Sequence, residues 1–422
     1  MSTAFDSLGL SPADILLPAP HVDPTRWAVV ACDQHTSDPA YWQRVESYVG
    51  DAPSTLRLTF PEIYLSEGFD RVADIQRTMR AYLADGTLVP AVRDGFVLVE
   101  RTIASGSRLG LMARVDLEMY DFERGSASLV RATEGTILER IPPRVRIRTG
   151  APLETPHVML LVDDPGRTVI EPLYQRRRRL APLYDFELME GGGHLRGWRV
   201  DGEREKQQVA SALDALRSAC GGLLYAVGDG NHSLATARQC WLNLRDTLPP
   251  EARAGHPARY ALVELVNLHD DALVFEPIHR VLFHVDEQDV LHGLNAFLSR
   301  HGAAMAPRRA HADEQPLSFL CAKGALSLAV QNAPFALPVA TLQRFLDEYL
   351  PSRPEARLDY IHGEAFARGL AREPGNACFL LDGLDKHALF PAVRRDGALP
   401  RKTFSMGEAD EKRYYMECRA IL

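Results

Sequence analysis

A short apolar segment that runs straight into a glycine-rich turn constrains the fold of this chain more than any other feature. Leu223–Val227 has the length and composition of a buried strand, and Gly228–Ser233 (Gly-Asp-Gly-Asn-His-Ser) follows it, ahead of a helix predicted from about Leu234. This succession brings the free amide groups of the helix start to the turn, where Gly228 and Gly230 let a ligand approach the backbone. The segment therefore predicts an anion site suited to phosphate, with a plain capped turn as the alternative.

The polar side chains of this turn suggest different chemical roles. Asp229 is placed to bind Mg²⁺ or to accept a proton, and His232 to donate to a phosphoryl oxygen. Asn231 would add its amide to the backbone groups around the phosphate, and Ser233 its hydroxyl.

Helical and strand patterns alternate along the rest of the chain, without the regularity of a doubly wound sheet. Apolar residues three or four positions apart predict helices over 38–48, 69–84, 203–218 and 339–350. Apolar runs predict strands over 27–32, 95–103, 108–120, 157–162 and 260–267, and a strand pair within 317–330. The mixture predicts an α+β fold, in which mixed sheets pack with helices.

Breaks rich in glycine, proline and charge predict three parts of the chain. We expect an N-terminal α/β domain over 1–150 and a central domain over 151–304, which carries the glycine-rich turn. A C-terminal α+β segment would occupy 305–422.

The charge balance limits the possible partners. The chain has 48 Lys and Arg against 56 Asp and Glu, a formal net charge of −8. Nucleic acids and anionic membranes attract positive surfaces, so we expect neither as a partner. The six cysteines form no Cys-x-x-Cys pair, and no apolar run approaches the roughly 20 residues of a membrane helix. Without a signal peptide at its start, the chain is expected in the cytoplasm; its oligomeric state stays open.

Further polar residues lie where strands end or helices begin. Asp33 and His35 follow the strand predicted over 27–32, at the edge where α/β sites gather polar groups. The alternative is a turn-forming aspartate beside a loop histidine.

A second polar cluster occupies residues 134–144. If Thr136 opens a helical turn, Arg140 and Arg144 share one face and could bind a phosphate bidentately, with Glu134 beside them. The alternative is a solvated charged face.

The last two candidates come from the C-terminal half. Lys402 and Thr403 belong to an exposed basic stretch that could close over a phosphate, or could be a solvated tail. His279 and Arg280 could reach a substrate carboxylate, although a structural role fits them as well.

Taken in order, these motifs resemble the bacterial and archaeal family named domain of unknown function 1015. The matching elements run along nearly the whole chain: Asp33-Gln34-His35, Pro53–Glu62, Glu134 with Thr136, Asp229–His232, Pro277–Arg280 and Pro400–Thr403. The hallmark of the family, Asp-Gly-His-His-Arg, differs here at two places, because Asn231 replaces the first His and Ser233 replaces the Arg. If that Arg neutralises phosphate, Arg140, Arg144 or Lys402 must replace it, or the substrate differs.

The hallmark is also similar to the phosphate-handling motif of the ParB and sulfiredoxin superfamily, which includes kinases of free serine and CTP-binding switches. That likeness implies a nucleotide phosphate at the helix start after Gly230. Members of the 1015 family are often encoded beside serine-biosynthesis genes, which implies a small amino or hydroxy acid as substrate.

We therefore expect a Mg²⁺-dependent phosphotransferase, a small-molecule kinase that uses ATP or ADP and a hydroxyl metabolite such as serine. Asp33 or Glu134 would be the general base, and Arg140 and Lys402 would neutralise the transferring oxygens. A non-catalytic nucleotide-binding switch is one alternative. A metal-assisted hydrolase built from Asp33, His35, Asp229 and His232 is the other.

Overall fold

The computed structural model of the chain describes residues 4–68, 70–104, 106–123, 125–136, 139, 141–407 and 409–422. The chain divides into two units. Unit 1 comprises Met1–Ala132, Thr136–Leu273 and Gly407–Leu422, and unit 2 comprises Thr133–Gly135 and Val274–Met406. The boundaries predicted at 150 and 304 do not coincide with these units, because strand pairing joins segments from both sides of residue 150 into one sheet.

The strands are numbered in chain order. They are β1 (Leu10–Ser11), β2 (Ala13–Pro18), β3 (Leu88–Ile103), β4 (Gly106–Asp116), β5 (Tyr120–Asp121), β6 (Val130–Ala132), β7 (Leu153–Glu154), β8 (Met159–Val162), β9 (Ala181–Glu187), β10 (His194–Val200), β11 (Tyr225–Asp229), β12 (Tyr260–Asn267), β13 (Phe275–Phe283), β14 (Ala304–Ala306), β15 (Gln315–Cys321), β16 (Gly324–Gln331), β17 (Arg357–His362), β18 (Ala377–Leu380), β19 (Phe404–Met406) and β20 (Arg419–Ala420).

The α-helices are numbered in the same way. They are α1 (Pro24–Trp27), α2 (Pro39–Val49), α3 (Arg71–Ala84), α4 (Ile141–Arg148), α5 (Glu171–Gln175), α6 (Glu203–Ala219), α7 (Asn231–Arg245), α8 (Pro250–Arg253), α9 (Glu287–Arg300), α10 (Pro338–Tyr349), α11 (Glu364–Ala371) and α12 (Lys386–Asp396). Across the described ranges, none of the helices combines the length and the apolar character needed to cross a membrane.

Unit 1 is built on one large mixed sheet. Its strands lie in the order β5-β6-β11-β8-β12-β4-β3-β10-β9, with β1 beside β4 and β2 beside β3. Successive side chains of β3 point to opposite faces: Val97 and Val99 belong to one apolar core, and Phe96 and Leu98 to another. Both faces of the sheet therefore pack against apolar cores.

Unit 2 contains a second sheet, whose described strand pairs are antiparallel. Its order is β14-β16-β15-β18-β13-β17, with β19 beside the start of β13. Ala367 and Ala371 of α11 pack with Val281 and Cys378 in an apolar cluster on this sheet. The two sheets confirm the predicted α+β fold with mixed sheets.

Most predicted elements appear with small shifts at their ends, but the strand predicted over 27–32 is wrong. The segment is buried as expected, yet α1 occupies its start and only an isolated bridge joins Val30 to Tyr414. Asp23 caps α1 by accepting the amide hydrogen of Thr25, and Pro24 fits its first turn. These capping signals outweigh the apolar run.

Candidate functional site

The glycine-rich turn lies at the carboxyl end of β11, as the sequence predicts. Gly230 has a φ of 81°, and a Cβ there would stand 3.0 Å from Val158 Cγ2. Only glycine adopts this conformation without strain so close to a neighbour. Helix α7 begins at Asn231 rather than Leu234, since the amide of Leu234 already donates to the Gly230 carbonyl at 2.9 Å. The preceding amide groups therefore point out of the helix end.

The register of β8 brings a histidine to this turn. β8 runs antiparallel to β11 and Met159 pairs with Asp229, so His157, just before β8, lies beside the start of α7. Its Nε2 is 3.1 Å from Ser233 Oγ. Its Nδ1 is 2.8 Å from the hydroxyl of Tyr415, which also accepts the amide hydrogen of Cys32 at 3.0 Å. The ring is thus fixed from both nitrogens.

The C-terminal segment supplies a lysine. The amide of Ala31 donates to the Arg413 carbonyl at 2.9 Å, which places Lys412 close to the segment that carries Asp33. Lys412 Nζ lies 3.3 Å from Asp229 Oδ2. Asp33 Oδ2 lies 3.6 Å from His157 Nε2. We call Asp33, His157, Asp229, Ser233 and Lys412 the Asp229 cluster.

Burial and neighbouring charges shift the pKa values of Asp33 in the cluster and of Tyr415 and Cys32 beside it. Burial opposes the charge on Asp33, but His157, Gln34 and Lys412 together hold its pKa below its usual value. Burial raises the pKa of Tyr415 well above its usual value, so it remains a phenol. Burial likewise raises the pKa of the Cys32 thiol to about 12. Asp33 is therefore ionised at neutral pH, and its oxygens can accept hydrogen bonds.

A buried ion-pair network holds the lysine in place. Arg413, next to Lys412, pairs with Glu264 and Glu417 inside unit 1, and its Nε donates to the Pro156 carbonyl at 3.1 Å. Burial opposes the charge on Arg413, but the two carboxylates hold its pKa above its usual value. The network joins the segments that carry Lys412 and His157, so it orients the cluster.

A metal ion that the protein holds without a substrate would require several ligand side chains close together. The part of the chain that the structure describes contains no group of three or more His, Cys, Asp or Glu side chains that could hold a metal ion. Mg²⁺ needs less, because one or two carboxylates and the phosphates of a substrate complete its shell. Asp229 Oδ1 accepts the Gly230 amide at 2.9 Å, and the carboxylates of Asp229 and Asp33 are oxygen donors of the required kind.

A comparison with protein-family models then identifies the chain. The model described as "Protein of unknown function (DUF1015)" matches residues 13–349. The chain belongs to the DUF1015 family. Among curated proteins, no sequence matches it.

Several solved structures are similar to parts of this DUF1015 protein, each with a TM-score below 0.5. A free serine kinase mutant in complex with AMP has a TM-score of 0.39 and 12% identity, over 70% of this chain and 91% of that one. The same kinase mutant in complex with ADP has a TM-score of 0.39 and 11% identity, over the same shares. A conserved hypothetical protein from Pyrococcus furiosus has a TM-score of 0.33 and 11% identity, again over 70% and 91%.

Unit 2 of the DUF1015 protein holds five of the other predicted residues, namely Glu134, His279, Arg280, Lys402 and Thr403. Glu134 forms a parallel bridge with Leu399, ahead of the stretch that carries Lys402 and Thr403. Lys402 is exposed with a φ of 58°, and Thr403 is buried with its hydroxyl donating to the Pro400 carbonyl at 2.6 Å. The sequence placed these residues beside the phosphate, and that role stays a prediction.

His279 and Arg280 are bonded within unit 2. Arg280 is fully buried, and its guanidinium donates to Gln343 Oε1 at 3.1 Å and to the Arg401 carbonyl at 3.3 Å. His279 Nδ1 accepts the Leu381 amide at 3.2 Å, and burial lowers the pKa of this histidine. Such internal contacts are those expected if His279 and Arg280 have a structural role.

The remaining predicted residues of unit 1 have other neighbours. Arg144 lies in α4 and pairs with Glu62, and Thr136 does not have a helical conformation. His35 has a φ of 50° and stacks on the Tyr41 ring, with the ring centres 3.6 Å apart. Arg140 lies outside the described residues.

Thr136 Oγ1 and Asn231 Oδ1 are among the buried side-chain atoms that have no hydrogen-bond partner among the described residues. Asn231 is the first residue of α7, so its oxygen marks a polar position that a ligand at the turn would satisfy. His232 follows it in the helix, half-buried.

Sequence reasoning missed His157, Lys412 and Tyr415. His157 is the first residue of a predicted strand. A polar residue at a strand end was the one sequence feature that could have indicated a site residue here. Lys412 and Tyr415 lie in a charged tail without apolar periodicity, and nothing in the local sequence distinguishes them.

Proposed function

We propose that this DUF1015 protein transfers a phosphoryl group between a nucleotide, ATP or ADP, and a small hydroxyl metabolite such as serine. The observation that carries the proposal is the Asp229 cluster, in which a lysine, a histidine and two carboxylates meet at the start of the 15-residue helix α7. Phosphoryl transfer needs little covalent chemistry from a protein, and it depends on positioning and on charge stabilisation.

The turn supplies the positive field that a phosphate needs. Lys412 contributes a full charge, and the amide groups of Asn231, His232 and Ser233 contribute the helix end. Gly228 and Gly230 let the phosphate approach the backbone, and the orphaned oxygen of Asn231 accepts from a ligand donor. Lys412 thereby takes the place of the arginine that Ser233 replaces in the family hallmark.

Asp33 acts as the proton acceptor. Its carboxylate takes the proton of the acceptor hydroxyl as that oxygen bonds to the terminal phosphorus and the bond to the nucleotide's bridging oxygen breaks. The ionised state favoured by His157 and Lys412 keeps Asp33 available for this step. In the reverse direction, protonated Asp33 returns the proton.

His157 positions the acceptor. Its Nδ1 lies 2.8 Å from the Tyr415 hydroxyl, and its Nε2 faces Ser233 at 3.1 Å and Asp33 at 3.6 Å, so the ring is held in place beside Asp33. Both Ser233 and Asp33 lie at the same ring nitrogen. The arrangement therefore differs from a serine-hydrolase triad, in which the carboxylate holds the other nitrogen.

Asp229 would bind Mg²⁺, which neutralises phosphate charge when bound. Glu134, Arg140, Lys402 and His35 remain proposed contributors from the sequence. The likeness of the turn to ParB and sulfiredoxin motifs supports a nucleotide phosphate at Gly230 as a further part of the proposal.

The test combines binding and turnover. Purified chain is screened by thermal shift with ATP, ADP, CTP and pyrophosphate, with and without Mg²⁺. A ligand present at about 100 times its Kd adds roughly 2.7 kcal/mol to stability, which is readily seen. Phosphorylated product is then sought by ³¹P NMR with L-serine and other hydroxy acids as acceptors.

Asp229→Asn is the decisive variant, and we expect turnover to disappear while the fold persists. The matched control is Asp214→Asn on α6, where the side chain is 56% exposed and pairs with Arg217. Wild-type turnover in Asp229→Asn would overturn the assignment. Nucleotide binding without product in wild type would favour the non-catalytic switch instead.

A further inference from the structure

A cavity of about 180 Å³ lies in unit 1 directly beside the Asp229 cluster. His157 and Ser233 of the cluster line it, together with Cys32 and Tyr415. A molecule whose reacting group sits at the cluster can therefore extend a second group into this cavity.

The wall of the cavity is mainly apolar. Phe60, Ile75, Met79, Leu153 and Leu262 contribute to it, and all of them are buried members of the core on that face of the sheet. An engineered cavity of about 150 Å³ with an aliphatic and aromatic lining holds benzene. The present cavity thus has room for a ring-sized apolar group.

The hydroxyl groups in the wall are already engaged. Thr59 donates to the Thr55 carbonyl at 2.9 Å, Thr155 to the Glu417 carbonyl at 3.3 Å, and Thr236 to the His232 carbonyl at 2.7 Å. None of these three donors is left over for a polar ligand.

The charges in the wall are also neutralised in place. Glu62 pairs with Arg144, and Glu154 pairs with Arg148 while its other oxygen accepts from the Leu262 amide at 2.8 Å. A purine base carries donors and acceptors on its edges, and they would be buried here without partners at a cost of free energy. An uncharged apolar group avoids that cost.

We propose that the cavity binds the apolar side chain of the acceptor, so that the preferred acceptor is a hydroxy or amino acid with a ring-sized or branched apolar group. Its hydroxyl would lie at Asp33 in the Asp229 cluster. The role as acceptor rests on the proposed function, whereas binding in the cavity can be measured without turnover. Serine itself would leave the cavity empty.

The test compares L-threo-3-phenylserine with L-serine by isothermal titration calorimetry on the full, nucleotide-free chain. Burying the phenyl ring should make phenylserine bind about 10- to 100-fold more tightly than serine. Ala237→Leu, which places a larger side chain in the cavity wall, should reduce that preference to about 3-fold or less. If Ala237→Leu does not fold, Ala151→Leu replaces it in the test, because Ala151 also lines the cavity.

Ala215→Leu is the matched control, since it makes the same change at an exposed position of α6 and should leave the preference intact. Equal binding of the two amino acids, binding of neither, or an unchanged preference in both cavity variants would overturn the proposal. The proposed function fails separately: absent turnover, or turnover retained in Asp229→Asn, would contradict it even with the phenylserine preference intact.

Discussion

The two units of this chain contain the same kinds of polar residue in contrasting surroundings. In unit 1, Asp33, Asp229 and Lys412 meet as charged groups around a turn whose backbone amides face outward. In unit 2, His279 and Arg280 are more deeply buried, and their polar atoms bond to the backbone and side chains of their own unit. Residue type alone therefore does not mark a reactive site; the partners of each polar atom do.

The contrast has an energetic consequence. A buried group whose hydrogen bonds are all internal contributes to stability, and its loss leaves its partners unsatisfied. A cluster of like and unlike charges at a helix start holds its groups ready for a ligand, often at some cost in stability. Substitutions in unit 1 should then alter activity, and substitutions in unit 2 should alter stability.

The largest effect is expected for Asp33→Asn in unit 1. Removing the proton acceptor should lower kcat by about 10²- to 10⁴-fold, with little change in Tm. The assay is phosphoryl transfer from ATP at saturating substrate, alongside thermal unfolding.

Asp163→Asn is the matched control for this variant. Asp163 also pairs with a histidine, His269, at 2.8 Å, but it follows the carboxyl end of β8, whereas His157 precedes the start of that strand. Turnover should be unchanged in this control. An equal loss in both variants would mean that any aspartate–histidine pair of the unit matters, and the special role of Asp33 would be lost.

The next effect is expected for Arg280→Met in unit 2. Gln343 and the Arg401 carbonyl would lose buried partners, so the free energy of unfolding should fall by about 2–4 kcal/mol. Urea denaturation measures it. Arg344→Met, whose side chain is 54% exposed and pairs with Glu348, should change stability by less than about 0.5 kcal/mol. Unchanged stability with impaired turnover in Arg280→Met would make Arg280 a binding residue after all.

The sequence predicted the local features of the fold well. The strand over Tyr260–Asn267 appears at its predicted bounds, and the turn after β11 has the left-handed glycine and the helix start that its composition indicated. Such features depend on neighbouring residues, and local sequence contains them. The strand predicted over 27–32 failed where two local signals competed, because the capped proline turn Pro24–Trp27 extends into the first residue of the apolar run and Val30 forms only an isolated bridge.

The sequence could not predict which residues form the Asp229 cluster, for a different reason. His157 reaches the turn only through the antiparallel register of β8 on β11, and Lys412 only through pairing of the C-terminal segment with the segment before Asp33. Register between distant strands is set by long-range packing, which no local pattern records. Arg144 looked available in the sequence because its partner Glu62 is also distant in the chain.

A smaller effect separates the two lysines that are candidates for neutralising phosphate. Lys412 in unit 1 is 13% exposed beside Asp229, whereas Lys402 in unit 2 is exposed on a turn. Lys412→Met should weaken ATP binding about 10-fold, since a poorly solvated charge interacts strongly with phosphate. Lys402→Met should weaken it by about 2-fold or less, because solvent and salt screen an exposed charge. The ATP affinity of both variants is measured by calorimetric titration in the presence of Mg²⁺. A larger loss of affinity in Lys402→Met than in Lys412→Met would support the sequence-based prediction that Lys402 neutralises the phosphate.

The smallest effect concerns pH and again distinguishes the units. Burial lowers the pKa of His279 below its ordinary value of 6.5, so below pH 6.5 the unfolded chain binds more protons than the folded one. Its contribution to stability is complete above pH 6.5 and is lost as the pH falls through the lowered pKa. The pKa of Asp33 is also lowered, from an ordinary value of 3.8, so its contribution is retained until the pH falls below that value. The linkage of His279 to folding therefore acts at a higher pH than that of Asp33.

His279→Asn keeps an acceptor for the Leu381 amide and removes the titration. Its free energy of unfolding should therefore fall less steeply between pH 6.5 and 5 than that of wild type, by at most about 1.4 kcal/mol per pH unit. His311→Asn, at an exposed loop position of the same unit, should leave the wild-type slope unchanged. If both variants matched wild type, burial of His279 would carry no linkage to folding, and the distinction between a structural unit 2 and a reactive unit 1 would rest on Arg280 alone.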